Sequence, residues 1–91
     1  MSKNIFILAV FVAFFSINSN AGDYRAYYHY MMGDKYYFEE DFESAITEYV
    51  KATVYDDSSQ IRLKIAHCYL RAENPDAAIS NIKKSIELDQ E

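Results

Sequence analysis

The chain has 91 residues, of which 51% are apolar and 16% aromatic, and this composition excludes a disordered chain and a disulfide-stapled scaffold. Nine Tyr and six Phe accompany only two Gly and one Pro, so the low content of helix breakers indicates helices joined by short turns. A formal net charge of −5, without a Lys/Arg patch, disfavours a nucleic acid partner.

Residues 1–21 have the pattern of a secretory signal peptide. Lys3 gives a positive start, an unbroken apolar run spans 5–15, and small residues at Ser19 and Ala21 form an A-x-A-like cleavage site. As a helix the run spans about 16 Å, against about 30 Å of bilayer hydrocarbon. We therefore predict an exported protein, periplasmic or secreted. The alternative is a membrane anchor formed by residues 5–17.

The remaining residues, 22–91, are predicted to form one domain of four helices. Asp23, Asp41 and Asn74 fit N-cap positions because their side chains can accept hydrogen bonds from first-turn amides, and Pro75 fits a first helical position. Ser58 and Ser59 offer two hydroxyl caps in succession. The predicted helices cover about 24–38, 42–55, 60–72 and 75–88.

The hydrophobic spacing of each segment predicts which face turns inward. In the first helix, Tyr28, Met32 and Tyr36 recur at spacings of four and form one stripe with His29 and Gly33 beside it. The inward residues predicted for the other helices are Phe42, Ala45, Ile46, Tyr49, Ala52 and Thr53, then Ile61, Ile65, Ala66, Cys68 and Tyr69, then Ala78, Ile79, Ile82, Ser85 and Ile86.

The second pair of helices repeats the first at an offset of 33 residues, which places Tyr36 over Tyr69, Ala45 over Ala78 and Ile46 over Ile79. With these positions the chain resembles the tetratricopeptide repeat family. Departures from the family pattern are His29 and Arg62, where the family usually has Trp or another bulky apolar residue, and Asp57 in place of a frequent proline. The matching segments are Met32-Gly33, Tyr36, 41–46, Tyr49 and Ala52, and then Ile65-Ala66, Tyr69, 76–79, Ile82 and 84–89.

The resemblance implies an all-α fold, a short α-solenoid of two antiparallel helix hairpins with repeats at about 26–59 and 60–91. Gly33 and Ala66 would let the second helix of each hairpin lie directly on the first. It further implies binding of a protein partner, as a peptide segment or a helix, in a concave groove lined by the first helix of each hairpin. The predicted groove residues are Tyr27, Tyr30, Asp34, Tyr37, Phe38, Leu63, His67, Leu70 and Arg71.

One subgroup of the family clamps a C-terminal carboxylate with basic and amide side chains. The corresponding positions here hold Tyr30, Asp34 and Lys64. The leading basic residue is missing and Asp34 would repel a carboxylate. The sequence therefore favours an apolar or basic peptide segment in a tyrosine-rich groove.

Enzymatic chemistry has no support in the sequence. His67 and Cys68 are adjacent, so on a helix they point about 100° apart and cannot chelate one metal. Cys68 is predicted as a small, half-buried helix residue, with an intermolecular disulfide as the alternative. We predict no enzyme, no metal and no cofactor.

The predicted function is that of an exported adaptor. The alternatives are a membrane-tethered assembly subunit that retains the N-terminal segment, and the N-terminal part of a longer repeat protein. Because solenoids usually close with a polar capping helix, a homodimer through the uncapped C-terminal hairpin is a further expectation. A membrane is expected as a partner only if the signal segment is retained.

Overall fold

A computed structural model describes residues 23–90, which form four α-helices and no strand. The helices are α1 (Tyr24–Phe38), α2 (Phe42–Tyr55), α3 (Ser59–Arg71) and α4 (Pro75–Asp89). The all-α prediction is confirmed, and every helix boundary lies within one residue of its predicted place. The predicted signal peptide lies outside the described residues.

Each helix begins at a polar side chain that accepts a hydrogen bond from a first-turn amide. The predicted caps Asp23, Asp41 and Asn74 are confirmed, and Ser58 is the one of the two serines that caps α3. These four caps explain why the boundaries could be read from the sequence. The amides they satisfy belong to Arg25, Ser44, Ala77 and Ile61.

Both hairpin turns have the same backbone geometry. Glu40 has φ 60° and Glu73, at the same place in the second hairpin, has φ 61°. The next amide closes the turn in each case, from Asp41 to the Tyr36 carbonyl at 2.9 Å and from Asn74 to the Tyr69 carbonyl at 2.8 Å. This is the bond of a Schellman motif, in which glycine usually holds the left-handed residue.

The helices stack in chain order, with α1 packed on α2, α2 on α3 and α3 on α4. Small side chains permit the close approach within each hairpin, since Ala45 and Ala78 have no exposed surface and Ala66 is 2% exposed. A single cluster joins the two hairpins. It is made of Ala45, Tyr49, Ala52, Ile61, Ile65 and Cys68.

The predicted inward stripe of α1 was partly wrong. Tyr28 is 59% exposed, whereas the buried residues of α1 are Ala26 and Gly33. Spacings of four fit Tyr28, Met32 and Tyr36, but the helix turns toward α2 the face that carries its smallest side chains, because those allow the closest packing. One of the three stripe residues, Tyr28, therefore faces solvent, whereas Met32 and Tyr36 are half-buried.

The inward prediction for α4 was also wrong at two positions. Ile79 is 50% exposed and Ile86 is 53% exposed, while their neighbours Ala78 and Ser85 are buried. One residue along a helix is a rotation of about 100°. Ile79 and Ile86 therefore lie on a side of α4 against which no described helix packs.

Cys68 lies in the core with no exposed surface. Burial raises the pKa of its thiol to about 11. An intermolecular disulfide through this residue would need the core to open. The structure therefore supports the interpretation of Cys68 as a packed helix residue, but buries it fully where the sequence predicted half.

None of the helices found between residues 23 and 90 has the length and apolar character needed to span a membrane.

Candidate functional site

The first helices of the two hairpins lie side by side with a constant register of 30 residues. The Gln60 amide donates to the Tyr30 hydroxyl at 3.3 Å, and the Lys64 ammonium lies 3.4 Å from the Asp34 carboxylate. The Tyr37 hydroxyl lies 3.3 Å from the His67 ring nitrogens. In all three contacts the two residues are 30 apart in the sequence, which means that α1 and α3 run parallel. These contacts form the floor of the predicted groove.

Asp34 is held from two sides at the centre of this floor. The hydroxyl of the buried Tyr49 of α2 donates a hydrogen bond to the Asp34 carboxylate, and Lys64 of α3 forms an ion pair with the same carboxylate. Burial, then the hydrogen bond to Asp34, raises the pKa of Tyr49 above its usual range. Burial alone would lower the pKa of Lys64, but the charges and hydrogen bonds of Asp34 and Tyr30 together outweigh it and leave that pKa raised.

The Asp34–Lys64 pair bears on whether the three positions that match the family's carboxylate clamp, Tyr30, Asp34 and Lys64, could bind a carboxylate. The only cation among them already has a carboxylate partner within the protein. A carboxylate of a bound peptide would meet Asp34 beside it and be repelled. That this groove does not bind a C-terminal carboxylate stays a prediction, which the position of Asp34 favours.

An aromatic group closes the groove near the α1–α2 turn. The Tyr37 ring lies 5.4 Å from the His67 ring and 5.5 Å from the Phe42 ring, between centroids. The Arg71 guanidinium lies 4.9 Å from the Phe42 ring centroid and forms a 3.7 Å ion pair with Glu40. Arg71 thus packs against the start of α2 at the edge of the groove, within reach of a peptide that passes the edge.

Two of the predicted groove residues are freely available aromatics. Tyr27 is 65% exposed and Phe38 is 82% exposed. Spacings of seven and four put Tyr27, Asp34 and Phe38 on one line along α1. Tyrosine and phenylalanine offer large contact area with little rotamer entropy to lose, which suits them to binding surfaces.

Leu63 and Leu70 are exposed, at 51% and 52%, but lie in a different direction. The line of α3 that faces α1 is formed by Gln60, Lys64 and His67. Leu63 and Leu70 lie about a quarter of a turn away from this line. The structure therefore does not bring these two leucines together with the tyrosines of α1.

Sequence reasoning missed two residues that help to form the predicted groove, namely Gln60 and Phe42, and it named Lys64 only as a position of the carboxylate clamp. The offset of 33 gives equivalent positions, whereas neighbours across the groove differ by 30. No pattern in the sequence predicts the register of 30 residues, because it depends on the displacement of one hairpin relative to the other along the helix axes.

The residues at the family's tryptophan position form a polar pair in each hairpin. His29 Nδ1 lies 2.7 Å from a Glu48 carboxylate oxygen, and Arg62 donates to the Asn81 amide oxygen at 3.2 Å. Both pairs have a separation of 19 residues, so they are the same contact repeated. They join the two helices of a hairpin and account for His29 as a structural residue.

Charge also fixes the start of α3. Arg62 forms a 2.7 Å ion pair with Asp57, which lowers the pKa of the Asp57 carboxyl.

Within residues 23–90, no three His, Cys, Asp or Glu side chains group closely enough to hold a metal ion.

Comparison with known protein families gives a match in the second hairpin. The family model of the tetratricopeptide repeat matches residues 59–91, which contain α3 and α4. No curated protein and no solved structure matches the chain. The first hairpin shares three features with the matched one at equivalent positions: an N-cap at the start of its second helix, a left-handed glutamate in the turn, and a polar contact between its two helices. Residues 59–91 are therefore similar to a tetratricopeptide repeat, and the four helices are consistent with two such repeats. Members of that family typically serve in protein–protein interaction.

Proposed function

We propose that this protein is an exported adaptor, which binds an apolar or basic segment of a partner protein along the groove between α1 and α3. The observation that carries the proposal is the exposure of Tyr27 and Phe38, at 65% and 82%, on the line of α1 that borders this groove. Large aromatic side chains left exposed on a protein surface are typical of a binding site.

The charge of the groove supports the choice of partner chemistry. Asp34 and Lys64 compensate each other, and Glu40 at the edge is 76% exposed beside Arg71. With a net charge of −5 on the whole chain, the surroundings of the groove favour a neutral or basic peptide over an acidic one. Export rests on the sequence of residues 1–21.

The test compares two double variants of the full chain, purified from the cells that produce it. Tyr27→Ala with Phe38→Ala removes the groove aromatics. Thr47→Ala with Val54→Ala, which also removes exposed side chains, serves as the control on the outer side of α2. Tyr30 and Tyr37 are left unchanged because they hold α1 against α3.

Each protein is used to select from a displayed library of random peptides. We expect wild type and control to enrich peptides rich in apolar and basic residues, and the groove variant to lose at least tenfold in affinity for them, about 1.4 kcal/mol. Equal affinity of the groove variant and the control would refute the groove. Mass spectrometry of the N-terminus of the exported protein tests cleavage after Ala21 separately.

A further inference from the structure

Two apolar faces remain exposed at opposite ends of the helix stack. The α1 end face consists of Tyr27, Tyr28 and Met31, which are 65%, 59% and 50% exposed. The α4 end face, which includes the outer edge of α3, consists of Leu63, Leu70, Ile79 and Ile86, which are 50–53% exposed. Apolar groups of this size on an outer surface mark interaction sites.

The α4 end face is equivalent in position to the surface of the first hairpin against which the second hairpin packs. At an offset of 33 residues its four members take the positions of Tyr30, Tyr37, Ile46 and Thr53. Tyr30, Tyr37 and Ile46 are partly buried because they pack against the cluster that joins the hairpins. The same positions in the second hairpin have no helix beside them among the described residues.

The α1 end face is equivalent in position to the other side of that interface, the surface of α3 that packs against the first hairpin. Its members lie 33 residues before Gln60, Ile61 and Lys64, the residues with which α3 contacts the first hairpin. Ile61 is 6% exposed in that interface, whereas Tyr28 at the equivalent position is 59% exposed. One chain therefore carries both halves of a contact that it makes once internally.

We propose that the partner of each end face is a second copy of this chain, with the α1 end face of one copy packed on the α4 end face of the next. The internal contacts define which residues would meet. Gln60 and Lys64 contact Tyr30, so Tyr27 and Met31 would contact Leu63 of the neighbouring copy. Arg71 lies over Phe42, so Phe38 would lie over Pro75 of that copy. These new contacts are apolar on both sides.

One position opposes the contact. Lys35 lies where α3 has the buried Cys68, and its ammonium pairs with Glu39 at 3.1 Å. Packing this position against a neighbour requires the lysine to bend its charged end toward the edge of the interface, since a buried unpaired charge is costly. Lys35 therefore limits the affinity, and its removal strengthens the association.

The contact is heterologous, because two different faces meet. Such a contact leaves one free face at each end, so association continues to longer stacks and does not stop at a dimer. A two-fold dimer through the α4 end face alone would stop at two copies. This difference makes the proposal testable by mass.

The experiment uses the full chain as its producing cells leave it, studied by sedimentation equilibrium from 1 to about 500 μM with circular dichroism as a check of folding. Tyr28→Glu with Met31→Glu blocks the α1 end face, and Ile79→Glu with Ile86→Glu blocks the α4 end face. Thr47→Glu with Val54→Glu adds the same charge to the outer side of α2 as the matched control. None of these residues lies in the groove floor.

We expect the average mass of the wild type and of the control to rise with concentration beyond two copies. Each blocked variant alone should remain monomeric, and an equimolar mixture of the two should form dimers and nothing larger. Lys35→Ala should raise the average mass at every concentration. A monomeric wild type throughout the range, a dimer formed by the α1-blocked variant alone, or an unchanged mass for Lys35→Ala would overturn the proposal.

Discussion

The Tyr49 ring lies against the backbone of Gly33 with no room between them. A Cβ atom built on Gly33 would stand 2.5 Å from Cδ1 and Cε1 of the ring and 2.9 Å from Cζ. The ring is fully buried and its hydroxyl donates to Asp34, so it cannot move aside without losing that bond. The second hairpin has Ala66 and Ile82 at the equivalent positions, where a smaller partner leaves space for the methyl group.

Gly33→Ala should therefore destabilise the protein, although alanine is the better helix former. Overpacking a tight contact costs about 1–3 kcal/mol, and the gain in helix propensity is about 1 kcal/mol. We expect a net loss of about 1 kcal/mol, and at most about 2 kcal/mol, in the free energy of unfolding. Urea denaturation followed by circular dichroism measures it.

The control transplants the pair found in the second hairpin. Gly33→Ala combined with Tyr49→Ile should be more stable than the sum of the two single changes predicts, because the smaller side chain accommodates the new methyl group. Strict additivity of the two changes would show that the ring is not what excludes a side chain at position 33.

The His29–Glu48 pair predicts how stability depends on pH. Burial raises the pKa of Glu48, but the hydrogen bond from His29 and the contacts of Lys51 outweigh it, and the net pKa lies below the usual value. A carboxyl with a lowered pKa in the folded protein stabilises it above the pKa of the unfolded chain, and this contribution is lost as pH falls through the folded pKa.

Glu48→Gln removes this carboxyl while it keeps the shape of the side chain. The free energy of unfolding should then fall less steeply than that of the wild type between about pH 5 and pH 3, the range in which glutamate titrates. Urea unfolding at half-unit steps of pH gives both slopes. Identical slopes for the two proteins would contradict the role of the pair.

Helix boundaries were predictable because each depends on a local signal. Asp23, Asp41 and Asn74 act through hydrogen bonds to amides two or three residues away, and the sequence displays both partners. The burial of Ile79 could not be judged in this way. Its spacing is that of a core residue, and only the three-dimensional arrangement reveals that no described helix covers it.

The contacts between α1 and α3 that would form the predicted groove could be predicted only in part, for a related reason. Tyr30, Asp34 and Tyr37 were identified from their equivalence to positions of a known family, and they do meet α3. Their partners depend on the sliding of one hairpin along the other, which sets the register of 30 residues. Contacts between helices distant in sequence are fixed by packing shape, and periodicity does not encode that shape.

Cys68 should be nearly inert in the folded protein. At pH 8 a thiol with a pKa of about 11 is ionised in roughly one molecule in a thousand, and the thiolate is the reactive form. We expect its reaction with Ellman's reagent to be at least about 100-fold slower in the native protein than in guanidinium chloride, where the pKa returns to about 8.5.

A surface thiol provides the comparison for Cys68. In a Cys68→Ala background, Ser80→Cys places a thiol on the exposed side of α4 and should react at similar rates with and without denaturant. Native Cys68 that reacts as quickly as this surface thiol would mean that the core between the hairpins opens readily.

Glu73 should be replaceable by glycine with a gain in stability. Its φ of 61° is left-handed, a conformation that costs a residue with a Cβ roughly 1–2 kcal/mol and glycine nothing. Part of that gain is offset by the greater freedom of glycine in the unfolded chain, so Glu73→Gly should raise the free energy of unfolding by about 0.5–1 kcal/mol. Ala72→Gly is the matched control. Because Ala72 has φ −87°, which alanine adopts without strain, the same replacement there should lower the free energy of unfolding. Opposite signs at adjacent positions in urea denaturation would establish the strain at the turn, since a general effect of glycine on this turn would move both proteins in one direction.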